Sequence, residues 1–374
     1  MKSVIIIILC IVPILHSGIV PHASEIEADE ITVLAVGDIT IGSSLTPIIE
    51  RQGAGVFFEG TASIIQSADV ATVSLNASIS DRGEPSIIQQ HHFRAAPGLA
   101  RAIANAGFDA VSLASPNILD FGTVALEDTV TNLAWYNVKS MGAGVSPAAA
   151  NLPAWLNVKG HKVALFAYLR GNEFNMASLN VVASAAYSQM MHAVKQVKNE
   201  AELIIVWLHW GKREAKKEAR QASIGRQRLF ANALIDAGAD MVLCQQLHTL
   251  GGIEIYKGKP IIYSLADFIY DTYELQHART IIPKTTFKKG VLKSIEIIPI
   301  LTDKKGVSIP QPSLLKTNDT HASSTHDVLE QTAVETLQKY KKLCAALDTK
   351  VIIEGERGWI HNVNNDNTIV VNEN

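Results

Sequence analysis

The feature that most restricts this chain is an alternation that begins near residue 31 and continues to residue 300. A short run of β-branched and apolar residues gives way to polar and glycine residues, then to an amphipathic stretch. The runs are Ile31–Val36, Val70–Leu75, Ala110–Leu113, Val163–Ala167, Leu203–Leu208, Met241–Leu243, Ile261–Leu265 and Leu292–Ile300. Runs of this length without polar alternation suit strands buried on both faces. Between them the spacing predicts helices, for example over Pro97–Ala106 and Gln227–Ala237. Each is followed by a glycine that fits a helix C-cap and then an aspartate, in Gly107-Phe108-Asp109 and Gly238-Ala239-Asp240. Strands alternating with helices mean an α/β fold with a mostly parallel sheet.

The two ends of the chain differ from this middle. Lys2 followed by the apolar run Val4–Leu15 and small residues near Ala23 and Ser24 reads as an export signal over residues 1–24. The run is shorter than the roughly 20 residues of a spanning helix and contains Pro13, which favours cleavage over a retained anchor. Ile8 and Leu9 before Cys10 leave no lipobox. The expected location is therefore outside the cytoplasm, periplasmic or cell-surface, with anchoring by the N-terminal segment as the alternative. Past Ile300, Pro310-Gln311-Pro312 and the polar stretch Thr317–Asp327 read as a linker. A helix is expected over Val328–Leu347, and one short strand at Thr368–Val371. This divides the chain into a main domain over 31–300 and a linker, helix and tail over 301–374.

Composition narrows the function. With 374 residues, 47 % apolar and 18 % charged, the chain can bury a large core. A net charge of −3 is not that of a nucleic-acid binder. Once the signal is removed only Cys244 and Cys344 remain, too few for a disulfide scaffold or a thiolate zinc cluster. One bridge between them or two free thiols both remain open.

In open α/β sheets ligands gather at the carboxyl ends of the strands. Those ends carry Asp38, Asn76, Ser115-Pro116-Asn117 with Asp120, His209-Trp210-Gly211, Gln245-Gln246-Leu247-His248 and Ala266-Asp267. Carboxylate, imidazole and amide oxygen are the ligand types of a zinc, manganese or iron centre. Each has a plainer reading as well. Asp38 could cap a helix, His209 could bond loop backbone, and Asp267 could be a solvated loop residue. His91 and His92, adjacent in an extended segment, point to opposite faces and do not form a pair.

The order and spacing of several motifs resemble the CapA family of capsule-synthesis proteins. They are Gly37-Asp38, Ala106–Ala114, Gly142-Ala143-Gly144, Leu208-His209-Trp210-Gly211, Leu234–Asp240 and Lys259–Leu265. The family is tied to poly-γ-glutamate production and is related in fold to calcineurin-like metallophosphoesterases. The resemblance implies a layered α/β sandwich with a C-terminal helical extension. It places metal ligands at Asp38, His209 and His248, with His209 and Asp120 as catalytic groups.

The departures from the family pattern bear on the chemistry. Asn76 stands where members carry glutamate, and Ser115-Pro116-Asn117 where they carry Asn-Asn-His. Arg213 replaces a glutamate, Gln245 a histidine, and Ala266-Asp267 a Gly-Asn pair. Two metals need several anionic or imidazole ligands to offset about four positive charges, and amide oxygens hold zinc-type ions poorly. The expectation is no metal, or at most one divalent ion (manganese, zinc or iron). Asn76, Asn117, Arg213, Lys216, Lys217 and Asp267 then become substrate contacts. The basic segment Lys212–Arg228, if it rims the cleft rather than forming a solvated helix face, would attract an anionic polymer such as poly-γ-glutamate. The implied role is cell-envelope polymer synthesis or export, beside a membrane-bound synthase or export complex, with little or no hydrolysis. The alternative is a metal-dependent phosphoesterase-like hydrolase with Asp120 as proton shuttle. A third reading is an accessory subunit acting through a partner-facing surface.

Overall fold

Burial on both faces is what the apolar runs encode. The computed structural model describes residues 29–87, 91–170, 181–210, 217–245, 248–271, 279–302, 308–310 and 323–361. The expected signal over 1–24, Arg213, Lys216 and the expected strand at Thr368–Val371 lie outside these residues. The chain first forms β1 (Glu30–Thr40), α1 (Thr46–Gln52), α2 (Ala62–Ile65), β2 (Val70–Leu75), β3 (Ser78–Ile79) and β4 (Arg94–Ala95). Next come α3 (Gly98–Ala106), β5 (Ala110–Ser112), α4 (Gly122–Trp135), β6 (Lys139–Met141), α5 (Pro147–Asn151), β7 (Ala154–Val158) and β8 (His161–Leu169). The second half holds α6 (Tyr187–Val197), β9 (Leu203–His209), α7 (Lys217–Ala237), β10 (Met241–Gln245), β11 (Ile253–Tyr256), β12 (Lys259–Ile262) and β13 (Asp267–Tyr270). It closes with β14 (Arg279–Lys288), β15 (Val291–Thr302), β16 (Ser308–Pro310), α8 (Ser323–Ala345), β17 (Ile352–Glu354) and β18 (Arg357–His361).

Two large sheets result. The first has the order β17-β18-β15-β14-β1-β2-β5-β6, with β13 also paired to β1 and β16 to β15. Its β1, β2, β5 and β6 are parallel, and β14, β15 and β18 extend it antiparallel. The second sheet has the order β11-β12-β10-β9-β8-β7, parallel at its centre and antiparallel at both edges.

Alternation along each strand sends side chains to two different cores. Val33 and Ala35 of β1 meet Leu165, Ile205, Trp207 and Leu243 of the second sheet in one shared core. Leu34 and Val36 point the other way and pack with Phe57, Phe58, Leu99, Ile103 and Leu126. On the far side of the second sheet, Phe166, Val206 and Leu208 pack with Met190, Val194, Leu234 and Ile235 of α6 and α7. The layers are thus helix, sheet, sheet, helix, the layered α/β sandwich the sequence implies. One polar contact crosses the central core, where the Trp207 indole donates to Thr72 Oγ1 at 3.0 Å.

The aspartates that follow the helix-capping glycines belong to the scaffold. Asp109 Oδ2 accepts from Ala71 N at 2.8 Å and Asp240 Oδ2 from Ile204 N at 2.8 Å. Asp69 does the same for Thr32 N at 2.9 Å. Each clamps the first residues of a neighbouring parallel strand, at the end of the sheet opposite the loops that carry the candidate site. Gly107, at φ 101°, supplies the left-handed cap that ends α3 and turns the chain toward Asp109.

The C-terminal segment joins this body. Leu337, Tyr340 and Cys344 of α8 enter the inter-sheet core at three-and-four spacing. Cys244 and Cys344 are both free and buried, so the two-thiol alternative is the one observed. The hairpin β17–β18, which the sequence pattern did not reveal, adds to β15 through Ile295↔Ile360 and Ile297↔Gly358.

Candidate functional site

The first sheet's central strand is interrupted at the residue that matters most. In the pairing of β1 with β2, Val36 faces Val73 but Asp38 already faces Ser74, leaving Gly37 as a bulge. A bulge re-aims the side chain that follows it. Asp38 consequently lies inside β1, which runs on to Thr40, and a helix-capping role does not apply. On its other side Asp38 pairs in register with Asp267 of β13, and its N–H donates to Ala266 O at 3.2 Å. Only glycine fits at position 37, because a Cβ there would lie 2.0 Å from Ala266 O.

Two buried carboxylates side by side cannot both ionise readily. Burial, and then the Asp267 charge, push the Asp38 carboxyl up to about 7; Ser74, His248 and Gln245 pull it part of the way back. Asp267 is held by His248, whose Nδ1 lies 3.0 and 3.2 Å from its two carboxylate oxygens. The imidazole is 36 % exposed and the carboxylate 2 %, so His248 stands at the mouth and Asp267 on the floor. The His248 ring also tilts against Tyr270, 5.1 Å between centroids.

His209 ends β9 and is buried. Burial, reinforced by His248, pushes its imidazole down to about 3, so it is neutral at physiological pH. Gln245, which faces His209 across β10 and β9, is committed elsewhere. Its Nε2 donates to Ala266 O at 2.8 Å and its Oε1 accepts from Leu265 N at 3.0 Å. This brace holds Ala266 in the left-handed region at φ 59°, where L-residues other than Asn and Asp are uncommon. Asp120 sits beyond β5. Its Oδ2 accepts from Phe93 N at 2.8 Å and from Asn117 Nδ2 at 3.0 Å, while burial pushes the carboxyl up to about 6. Asn76 donates weakly to Thr40 Oγ1 at 3.4 Å.

Buried polar atoms in folded proteins nearly always find partners. Along these strand ends Asp38 Oδ1, Asn76 Oδ1, Ser115 Oγ, Asp120 Oδ1 and His209 Nδ1 are buried and have none. The row mixes acceptors with groups that can donate, and it lies where the α/β topology places ligands. The fold thus brings Asp38, Asn76, Asn117, Asp120, His209, His248 and Asp267 to one end of the sandwich. Arg213 and Lys216 lie outside the described residues, and Lys217 opens α7. His92, set aside from the sequence, bonds Ser86 O at 2.6 Å and packs on Phe121.

Sequence reasoning missed Arg170, which follows β8 directly and donates its N–H to His209 O at 2.7 Å. The rule that found its neighbours, a polar residue just past an apolar run, would have found it too.

The metal centre implied by the resemblance would draw on Asp38, His209 and His248. Among the described residues no three His, Cys, Asp or Glu side chains are grouped to hold one ion. Gln245 is spent on backbone, and both carboxylate oxygens of Asp267 face His248 Nδ1. These residues do not fit a two-metal centre. What they can do is hydrogen-bond a polar, uncharged group and exchange a proton near neutrality through Asp38.

Comparison with known proteins agrees with the sequence resemblance. The family described as bacterial capsule synthesis protein PGA_cap matches residues 32–272. The capsule biosynthesis protein CapA of Bacillus anthracis is 24 % identical over 338 residues, covering 88 % of this chain and 80 % of that protein. The PGA biosynthesis protein CapA of Bacillus subtilis is 24 % identical over 286 residues, covering 75 % and 74 %. Among solved structures, the 5'-nucleotidase of Candida albicans aligns with a TM-score of 0.40 and 11 % identity. That alignment takes in 83 % of this chain but only 58 % of the nucleotidase.

Proposed function

The chain belongs to the bacterial capsule synthesis family PGA_cap, and on that footing we propose that it is an accessory protein of capsule or poly-γ-glutamate-type polymer synthesis or export. Its cleft binds an anionic polymer and performs little or no hydrolysis, the metal centre of its fold relatives having degenerated. It acts outside the cytoplasm, delivered by the segment over residues 1–24, beside a membrane-bound synthase or export complex.

The observation that carries this reading is the row of buried polar atoms without partners along the strand ends. A neutral His209, a carboxyl at Asp38 that holds its proton up to about pH 7, and the amide of Asn76 offer donors and acceptors with little net charge. That is the complement of a backbone amide, not of a phosphate dianion. A polyamide whose side groups carry the charge can lay its amides on such a floor.

Retention on immobilised poly-γ-glutamate tests the reading. We expect retention at ~50 mM NaCl that weakens by ~0.5 M as charge screening tightens. Changing Asn76 and His209 together to alanine should weaken it at every salt concentration. A protein that flows through at low salt is not a polymer binder. Phosphodiester turnover with added manganese that disappears in His209→Ala would instead favour the hydrolase.

A further inference from the structure

We infer that Arg170 reads the carboxylate of the bound polymer, working from the rim of the cleft while the strand-end floor takes the backbone amide. This rests on the polymer-binding reading above and adds the residue that would select for negative charge.

Three observations converge on Arg170. The first is position. Leu169 pairs with His209 on the last rung between β8 and β9, and Arg170 N–H donates to His209 O at 2.7 Å, so Arg170 is the next residue beyond the ladder. Leu169 enters the inter-sheet core, whereas Tyr168 and Trp210 enter the core under α6 and α7. Arg170 follows the latter side, against Trp210 and Phe230 and next to the His209 end of the floor.

The second is preorganisation. The guanidinium carbon lies 4.7 Å from the Phe230 ring centroid and 5.4 Å from that of Trp210. Phe230 meets Trp210 edge-on at 5.1 Å, so two rings form the socket, and Tyr187 backs Phe230 at 5.4 Å. Stacking on ring faces fixes the plane of a guanidinium without consuming its N–H groups.

The third is that, among the described residues, those donors meet no acceptor. Several other arginines are committed: Arg82 to Asp128, Arg228 to Glu254, Arg279 to Glu335 and Arg357 to Glu296. Among the described residues no carboxylate or carbonyl accepts from the Arg170 side chain. A planar cation set against two rings, with no acceptor among the described residues, matches a carboxylate in bidentate fashion.

The ligand class follows from charge. Among the described residues the floor of Asp38, Asn76, His209 and Asp267 carries no lysine or arginine to hold a dense anion, while Arg170 stands beside it. A ligand with a neutral amide and a nearby single negative charge satisfies both, and each γ-linked glutamate unit has one of each.

The test uses the full mature chain and two probes, a short γ-linked glutamate oligomer and the same oligomer with its α-carboxylates amidated. Wild type should prefer the acid by about tenfold. Arg170→Gln should erase that preference, so that the acid and the amidated oligomer bind alike. Arg170→Lys, which keeps the charge but not the planar fork, should fall between. Equal wild-type affinity for both oligomers would sink the assignment of Arg170 and leave polymer binding standing. Binding of neither would sink both. Should Arg170→Gln not fold, Arg170→Lys decides alone, and a full wild-type preference in that variant rejects the assignment.

Discussion

A Cβ placed on Gly37 would lie 2.0 Å from the carbonyl oxygen of Ala266, so strand β1 and the residue before β13, far apart in sequence, meet backbone to backbone beside Asp38. That approach puts Asp38 in register with Asp267. It also explains why Gly37 precedes the aspartate: any other residue would push β13 away and separate the two carboxylates.

Gly37→Ala should therefore be among the most damaging single-methyl additions in the protein. Ala266 O cannot retreat without breaking its bonds from Asp38 N and Gln245 Nε2. Overpacking of this kind costs about 1–3 kcal/mol and more where backbone must move. Gly55→Ala, where nothing lies within 4 Å of the added carbon, is the matched control. Urea melts followed by circular dichroism should show a loss of about 3 kcal/mol for the first and under about 1 kcal/mol for the second. Similar midpoints for the two variants would mean that the Gly37–Ala266 approach is not this close.

The titration of Asp38 and His209 gives stability opposite pH slopes. The folded protein holds the Asp38 proton up to about pH 7, above the ordinary 3.8. The associated stability is complete below about pH 4 and is lost as pH rises to about 7. His209, depressed to about 3 from 6.5, contributes stability that is present above 6.5 and lost as pH falls toward 3. Asp38→Asn mimics the protonated acid. Its advantage over wild type should grow from about pH 4 to pH 8, reaching at most about 4 kcal/mol. Denaturation midpoints at three pH values measure this. A constant offset between the two proteins would show that Asp38 titrates normally.

Much of this arrangement is legible in the sequence. Val70–Leu75 is both the expected and the observed second strand, because all six residues are buried and the polar Asp69 and Asn76 mark its ends. The topological rule that strand ends carry ligands points to Asp38, Asn76 and His209, which the fold sets along one end of the sandwich. What escaped the sequence depends on contacts made far along the chain. The bulge at Gly37 is set by Ala266, the brace of Gln245 by the backbone of Leu265 and Ala266, and the socket of Arg170 by Phe230 on a later helix. The hairpin β17–β18 escaped for another reason. Its first strand is an edge, with Ile352 39 % exposed, and its three residues show no readable alternation.

The Trp207–Thr72 hydrogen bond makes a prediction about how the two sheets are locked together. Thr72 is fully buried and Trp207 nearly so, and replacing the hydroxyl leaves the indole N–H without a partner between the sheets. Thr72→Val keeps the shape and should cost about 1–3 kcal/mol, the desolvation penalty of an orphaned buried donor. Pairing it with Trp207→Phe removes both partners, so the double variant should be more stable than the sum of the single losses predicts. A double-mutant cycle on urea melts reads this directly. Strict additivity would show that the bond contributes nothing across the core.

Metal loading is the measurement on which the reading of the cleft turns. A bound ion that prefers the folded state adds RT ln(1 + [L]/Kd), about 2.7 kcal/mol at ~100 times its Kd, and the melting temperature rises accordingly. Asn76 and Gln245 supply amides where the family has glutamate and histidine, and Gln245 spends its amide on Leu265 and Ala266. Among the described residues no three strong donors are grouped for one ion. The purified protein should accordingly carry substoichiometric manganese, zinc and iron after incubation and dialysis, and its melting temperature should not move with added metal. One ion per chain, lost together with the thermal shift in His209→Ala and His248→Ala, would overturn the proposed degeneration of the centre. Gln245→His offers a positive counterpart. It restores the family's donor while removing the brace on Ala266, so any gain in metal uptake should come with a loss of metal-free stability of about 1–3 kcal/mol.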